Sequence, residues 1–424
     1  MDKTAAHALR PRVQHRPSCT DFERRPYEQR RTRRFDCAER YKYEGRKNAM
    51  KRVLIVTTVS GFLPQFERNN VRILQEMGYE VHYASNFTNP HYGKDNYRLQ
   101  GSGIVCHQVD FVRSPFRIIR NVKAYAQLKK LMQANPFHII HCHTPMGGVL
   151  SRIAARKYRR SGTKVLYTAH GFHFYKGAPV INWLCYYPVE WLLSRWTDVL
   201  ITINEEDYQR AKRFPLPKNG RLKKVNGIGI DIEGYRNIRV NREEKRRELG
   251  ISPADYLLVS VGELTKRKNH QAVVCALASI RNECLEKRMR YLICGEGPER
   301  GHLEKLIQEN GLQEIVQMPG YRTDVREILT VSDCFVFPSK QEGLPVALME
   351  AMAAGLPCIC SDVRGNRDLV NDDLKENNLE RNVLYQCLKN KLGKLLYCGG
   401  RSERLPEKFE SILVEKQMRE IYRG

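Results

Sequence analysis

No apolar run in these 424 residues is long enough to cross a bilayer, so a membrane-spanning protein is not expected. Disulfide spacing is missing too. The 13 cysteines form no paired framework and no signal-peptide pattern opens the chain, so they read as reduced thiols in a cytoplasmic protein. Zinc-finger spacing and a Gly/aromatic RNA-binding signature are both lacking, so nothing supports a nucleic-acid partner specifically. Acidic residues are in short supply: 47 Asp and Glu face 72 Lys and Arg, a net charge of +25. Residues 1–50 hold 14 basic and 7 acidic residues, so +7 lies there and +18 in the rest. That balance favours an anionic partner, whether nucleotide sugar, nucleic acid or anionic membrane.

What is present is an alternation of short apolar runs and amphipathic stretches. The length favours two domains. Residues 1–49 are poor in aliphatics and rich in Arg, and read as a disordered basic extension. Met50 is the expected natural start, with a basic targeting tail as the alternative for the upstream part. Strands are predicted near 52–58, 80–84, 104–109, 138–142, 164–169 and 198–203, and helices at 66–77, 117–133, 147–160, 180–196 and 204–213. The pattern pauses at Val225-Asn-Gly227-Ile-Gly229-Ile-Asp231 and restarts at Tyr256, with later strands near 290–294, 314–318, 333–337 and 357–360. Alternation of this kind means α/β architecture with parallel sheets covered on both faces. Two doubly wound, Rossmann-like domains facing across a cleft follow, with ligands outside the carboxyl ends of the strands.

The most telling segment is Glu342-Gly343-Leu344-Pro345-Val-Ala-Leu-Met-Glu350-Ala-Met-Ala-Ala-Gly-Leu-Pro357. A strand and polar loop end at Glu342, then Gly343 and Pro345 open a helix carrying Glu350. Both carboxylates can face one ligand. The N–H groups between them suit an anion, above all phosphate. A hydroxyl-rich ligand carrying a diphosphate matches both halves.

Seven residues separate the two carboxylates. The segment resembles the Glu-x7-Glu signature of retaining glycosyltransferases of the family-4 type (glycosyl transferases group 1, GT-B fold), in the capsular and exopolysaccharide subgroup. The resemblance runs from about Met50 to about Val370. It implies a 50–228 acceptor domain, a 229–404 nucleotide-sugar domain, and a closing helix within 405–424 that packs back on the first domain. It places Glu342 by the transferred sugar and Glu350 by the ribose, with Gly343 and Leu344 lining the donor site.

Other motifs fall in the same frame. In Val261-Gly262-Glu263-Leu-Thr-Lys266-Arg267-Lys268, Lys268 matches the family lysine that stabilises charge on the leaving diphosphate, but Glu263 stands where the family has arginine. Lys266 or Arg267 is the expected substitute. Thr168-Ala-His170-Gly171 resembles a turn whose histidine touches the donor sugar, whereas His173 reads as structural. Gly61 lets backbone approach a ligand. Gly295 and Gly297, and the Gly320-Tyr321-Arg322 loop, resemble segments bordering the nucleobase. His141-Cys142-His143 puts two histidines on one strand face, but no third ligand is evident in the sequence, so no metal site is expected. Trp183, Tyr187 and Trp191 repeat at helical spacing beside Arg152, Arg156, Lys157, Arg159 and Arg160. They fit equally a basic aromatic face on an anionic membrane, or a plain buried helix. Residues 371–404 lack the family's Asp-Gly-x-Asn-Gly turn, and read as divergent or damaged.

The expected activity is therefore transfer of a hexose or N-acetylhexosamine from a UDP-sugar to a lipid-linked saccharide. It needs no cofactor or metal, and takes place in the cytoplasm or peripherally at the inner membrane face. Two other readings stand beside it. A nucleotide-sugar 2-epimerase shares the architecture. A degenerate paralogue would bind nucleotide sugar without turnover, and Glu263 and residues 371–404 are the features that favour it.

Overall fold

The computed structural model describes residues 50–88, 90, 96–370, 390, 395–398 and 405–424. The basic extension and most of the divergent 371–404 stretch lie outside the described residues. No described helix is long and apolar enough to cross a membrane.

The first domain is a seven-stranded parallel sheet in the order β3-β2-β1-β4-β5-β6-β7. Its strands are β1 Lys51–Val56, β2 Tyr79–Ser85, β3 Val105–Gln108, β4 Ile139–His143, β5 Lys164–Ala169, β6 Val199–Thr202 and β7 Arg221–Lys224. The covering helices are α1 Arg68–Glu76, α2 Ile118–Ala134, α3 Pro145–Arg159, α4 Val180–Leu193 and α5 Glu205–Ala211. In β1, Leu54 and Val56 enter one apolar cluster and Val53 and Ile55 the other, so the strand is dry on both faces. Each such aliphatic contributes roughly 1.5–3 kcal/mol. β7, Arg-Leu-Lys-Lys, escapes a hydrophobicity reading: it is a charged edge strand, a composition that discourages pairing with other chains.

The second domain repeats the plan with six strands, β10-β9-β8-β11-β12-β13, the last antiparallel. They are β8 Tyr256–Val261, β9 Met289–Cys294, β10 Val316–Gly320, β11 Cys334–Phe337, β12 Cys358–Ser361 and β13 Leu395–Cys398. The helices used below are α6 Ile232–Arg236, α7 Arg242–Glu248, α8 His270–Ser279, α9 Arg281–Glu286, α10 Arg300–Glu309, α11 Val325–Val331, α12 Val346–Ala353 and α13 Arg364–Arg367. Strand order reverses between β1 and β4 in one sheet and between β8 and β11 in the other, so each domain opens a crevice at those strand ends.

Two features join the domains. A closing helix, Ser411–Arg423, places Val414, Met418, Ile421 and Tyr422 in the first domain's cluster with Val53, Ile55 and Ile201. Arg364 of α13 reaches buried Asp207 of α5 at 2.7 Å. The closing helix thus packs on the first domain.

The tryptophan-rich helix α4 has one face packed and one exposed. Trp183 and Tyr187 pack on the core beside Phe174, whereas Val180, Ile181, Leu184 and Leu192 are exposed. Arg152 does not belong to the surface face predicted for it. It is fully buried, 2.8 Å from Glu190, and pins α4 to α3.

Candidate functional site

The wall supplied by the first domain grows from adjacent strands. His143 ends β4 and pairs in register with Thr168 of β5, so His170, two residues on, arrives beside it. His143 Nδ1 lies 3.1 Å from His170 Nε2. Glu67, at the end of the π-helix Leu63–Glu67, points its Oε1 to 3.3 Å from His143 Nδ1 and 3.7 Å from His170 Nε2. Burial drives the Glu67 carboxyl up to about 8, against a lowering by the Asn70 amide. Burial also pulls His170 down to about 4 and His143 further still. His141 takes no part: its ring nitrogens meet the Tyr422 hydroxyl at 2.9 Å and the Thr168 hydroxyl at 2.8 Å. Thr144, directly after β4, holds φ at 63°, a left-handed conformation that is uncommon for threonine. Gly61 lies in the turn after β1, where its N–H donates to the Pro90 carbonyl at 2.9 Å.

The facing wall comes from the second domain. Glu342 follows β11 and is buried. Lys268 Nζ donates to Glu342 Oε1 at 2.9 Å and Arg267 Nη1 donates to the same oxygen at 2.8 Å. Burial raises the Glu342 carboxyl, yet the Lys268 and Arg267 charges outweigh it and hold the group below the ordinary carboxylate value. Burial lowers the Lys268 ammonium, with Glu342 opposing. Arg267 is thus engaged by the Glu342 carboxylate. Glu263 itself is near enough to act electrostatically on Lys268. Gly295 and Gly297 serve the same loop: an added Cβ would lie 1.9 Å from the Gly262 carbonyl oxygen and 2.4 Å from that of Leu264, respectively. They let the β9–α10 turn close on the turn that carries Lys268.

The walls touch at Gly343. A Cβ there would lie 1.9 Å from the carbonyl oxygen of His170. Gly171, at φ 129°, is crowded too, with Arg364 Nη2 2.7 Å and the Gly343 Cα 3.1 Å from where a Cβ would lie. Arg364 donates to the Glu342 carbonyl at 2.8 Å while bonded to Asp207, so one guanidinium ties both walls. Leu344 seals the linker, close to Gly227.

Glu350 sits one turn into α12. Burial raises its carboxyl, and the Tyr235 hydroxyl of α6 and the Arg326 charge oppose that. The Arg326 guanidinium lies 4.4 Å from the Tyr235 ring centre. Arg322 departs from expectation. Its guanidinium is committed to Asp324 at 2.5 and 2.8 Å and to Glu248 of α7 at 2.8 Å. Two carboxylates therefore compete with any ligand for that side chain.

His170 also borders a cavity of ≈ 580 Å³ between α3, α4 and the turn before α2, reached by Thr58, Phe62, Phe116 and Tyr186. Sequence reasoning missed Glu67, Tyr235 and Arg364. None lies in a motif run, and each reaches the site from an element distant in sequence.

Residues 53–204 match the family model described as glycosyl transferase 4-like, and residues 241–410 match glycosyl transferases group 1. EpsD of Bacillus subtilis strain 168, which carries a glycosyltransferase name, is 40% identical over 324 residues, covering 76% of this chain and 81% of that protein. The UDP-Gal:alpha-D-GlcNAc-diphosphoundecaprenol alpha-1,3-galactosyltransferase of Escherichia coli is 30% identical over 258 residues, 60% of this chain and 66% of the other. Among solved structures, Anabaena Alr3699/HepE in complex with UDP and glucose superposes with a TM-score of 0.66 over 88% of this chain and 99% of that one, at 16% identity, a likeness of fold. With its paired Rossmann-like domains, its Glu342–Glu350 segment and these matches, the chain belongs to the group 1 glycosyltransferases of GT-B fold.

Proposed function

We propose that this glycosyltransferase moves a hexose or N-acetylhexosamine from a UDP-sugar to a lipid-linked saccharide, with retention of anomeric configuration, in polysaccharide synthesis. The observation that carries the reading is the convergence of Lys268 and Arg267 on Glu342, at the point where Gly343 meets His170. Two cations beside a helix start are a ready-made acceptor for a diphosphate, and they need no metal to neutralise it. When the diphosphate takes the cations, Glu342 is released to hydrogen-bond sugar hydroxyls. Lys268 then faces the charge that grows on the leaving UDP. A Glu342 carboxylate committed to sugar hydroxyls is not free to attack the anomeric carbon, which favours front-face attack by the acceptor. Glu350 and Tyr235 lie one helix turn further in and suit the ribose hydroxyls.

The acceptor side also fits. Phe116 and Ile119 are 82% and 87% exposed, Ile118 and α4's Ile181 and Leu184 are exposed as well, and in this reading they serve as an apolar rim. Arg117 and Arg120 accompany them, and Phe116 lines the cavity that reaches His170. Such a rim can rest on an anionic membrane and receive the lipid end of the acceptor. The nucleotide and lipid assignments are also consistent with the donor and acceptor in the Escherichia coli relative's name.

The test is calorimetric titration with UDP and a panel of UDP-sugars, followed by transfer to undecaprenyl-diphosphate-linked saccharides and proton NMR of the new anomeric centre. Binding and transfer with the donor's configuration kept are expected. Inversion would overturn the front-face mechanism. Binding without transfer to any acceptor would favour the degenerate paralogue, with Glu263→Arg as the variant that tests it.

A further inference from the structure

In the Glu67, His143 and His170 cluster the imidazoles meet each other within hydrogen-bond distance, but the carboxylate stands off from both. An N–H donor normally sits about 2.7–3.2 Å from the oxygen that accepts its hydrogen bond. Here the carboxylate oxygen lies 3.3 Å from one imidazole nitrogen and 3.7 Å from the other, and the two nitrogens lie 3.1 Å apart. Those spacings suit a different arrangement. Three ligands at about 2.0–2.1 Å from a tetrahedral ion are separated from one another by roughly 3.3–3.4 Å.

The surroundings agree. Glu67 and His143 are buried, and the partners described for the Glu67 carboxylate are these two histidines and Asn70, with no lysine or arginine among them. Asn70 donates to Glu67 Oε2 at 2.5 Å, which leaves Oε1 aimed at the histidines. That is the second-shell bond a ligating carboxylate ordinarily has. Phe62 packs edge-on to His170 at 4.9 Å and fixes its ring. The His170 side chain is 24% exposed and borders the acceptor cavity, so one face of the triangle is open. The third ligand that the His141-Cys142-His143 run lacked is thus supplied by the fold, although His141 is not among the three.

We infer that Glu67, His143 and His170 form a binding site for a zinc-like divalent ion with one open coordination position, set between the acceptor cavity and the donor-facing turn. Two imidazoles and one carboxylate match zinc or cobalt better than magnesium or calcium, which prefer all-oxygen shells. A bound ion takes the His170 Nε2 lone pair away from any sugar. The site is therefore inhibitory, a consequence that rests on the transferase reading above, whereas ion binding itself does not.

The experiment is titration of the full chain with Co²⁺, read by visible absorption, and with Zn²⁺, read by calorimetry, in both cases with His170→Gln, His143→Gln, Glu67→Gln and Asn70→Ala. One equivalent and the intense visible bands of tetrahedral Co²⁺ are expected. Asn70→Ala should weaken binding by about tenfold or more, and each ligand variant by at least as much. His170→Gln and Asn70→Ala, the more exposed positions, keep the test valid should His143→Gln fail to fold. Octahedral-type weak absorption, or binding unchanged in His170→Gln and Asn70→Ala, would overturn the site, as would thiolate absorption from the exposed Cys106 and Cys185. Zinc should also slow transfer, reversibly by chelator. Binding without slowing would leave the site in place and overturn its inhibitory role.

Discussion

At Gly343 the two domains leave no room for a side chain, because a Cβ would meet the His170 carbonyl at 1.9 Å. Backbone, not a flexible side chain, is the obstacle. Gly343→Ala should therefore push the walls apart, lowering the thermal midpoint by several degrees and abolishing transfer, with UDP titration showing what binding survives. Lys268→Ala should act on the chemistry instead: turnover should drop on the order of 10²-fold or more with a smaller change in UDP-sugar affinity. Glu350→Gln should weaken UDP and UDP-sugar alike, measured by calorimetry. A further residue effect concerns pH. Glu67 is raised in the folded state from 4.5 to about 8, so its contribution to stability is fully present below 4.5 and is lost as pH rises through 8. Buried His170, lowered from 6.5 to about 4, works the other way, adding stability as pH climbs through that window. Chemical denaturation in chelator should accordingly show stability declining between pH 6.5 and 8, and Glu67→Gln should flatten that decline. What the sequence disclosed at this scale was whatever lies in one run: Glu342 with Glu350, Lys268 with Arg267, and His170 with Gly171. Glu67 and Arg364 came into view only with the fold, because their partners are on other strands and in the other domain.

Most strands were legible because they are apolar runs dry on both faces, as Val53 to Val56 shows, whereas β3 and β10 are partly exposed and were placed by the alternation around them. β7 was not, since an edge strand of Arg and Lys carries no hydrophobic period. Helix α4 was legible as a helix but not in its orientation. Its aromatic residues suggested one face, and the structure turns Trp183 and Tyr187 inward and leaves Val180, Ile181, Leu184 and Leu192 outside. The arginines of the neighbourhood are partly spoken for: Arg156 lies 4.8 Å from the Trp196 ring centre and Arg195 lies 4.0 Å from that of Trp191. The two contributions to membrane contact can thus be separated. Replacing Ile118, Ile119, Ile181 and Leu184 by Ser should reduce vesicle binding at every salt concentration. Replacing Arg117, Arg120 and Arg156 by Gln should reduce it mainly at low salt and flatten its salt dependence. Cosedimentation with phosphatidylglycerol vesicles measures both, and no response to either set would remove the bilayer from the account.

Over the whole molecule, the closing helix Ser411–Arg423 decides how far the domains are independent. Val414, Met418 and Ile421 enter the first domain's core, and each contributes roughly 1.5–3 kcal/mol. Their sum is comparable with the entire stability of an ordinary domain, about 5–15 kcal/mol. Tyr422 adds its bond to His141, directly behind the His143 strand end. A chain ending before Ser411 should lose cooperative unfolding of the first domain in calorimetry, while Tyr422→Phe should keep the fold and loosen only the His141 contact. The same helix imposes an order of events during synthesis. Domains usually fold as they leave the ribosome, first come first. Here the sheet formed from residues 51–224 stays only partly covered, by α1, on one face until residues 411–423 have been translated. A chain that lacks this helix therefore carries a greasy patch, and in the cell the protein is expected to be a client of ribosome-associated chaperones until the closing helix has been made.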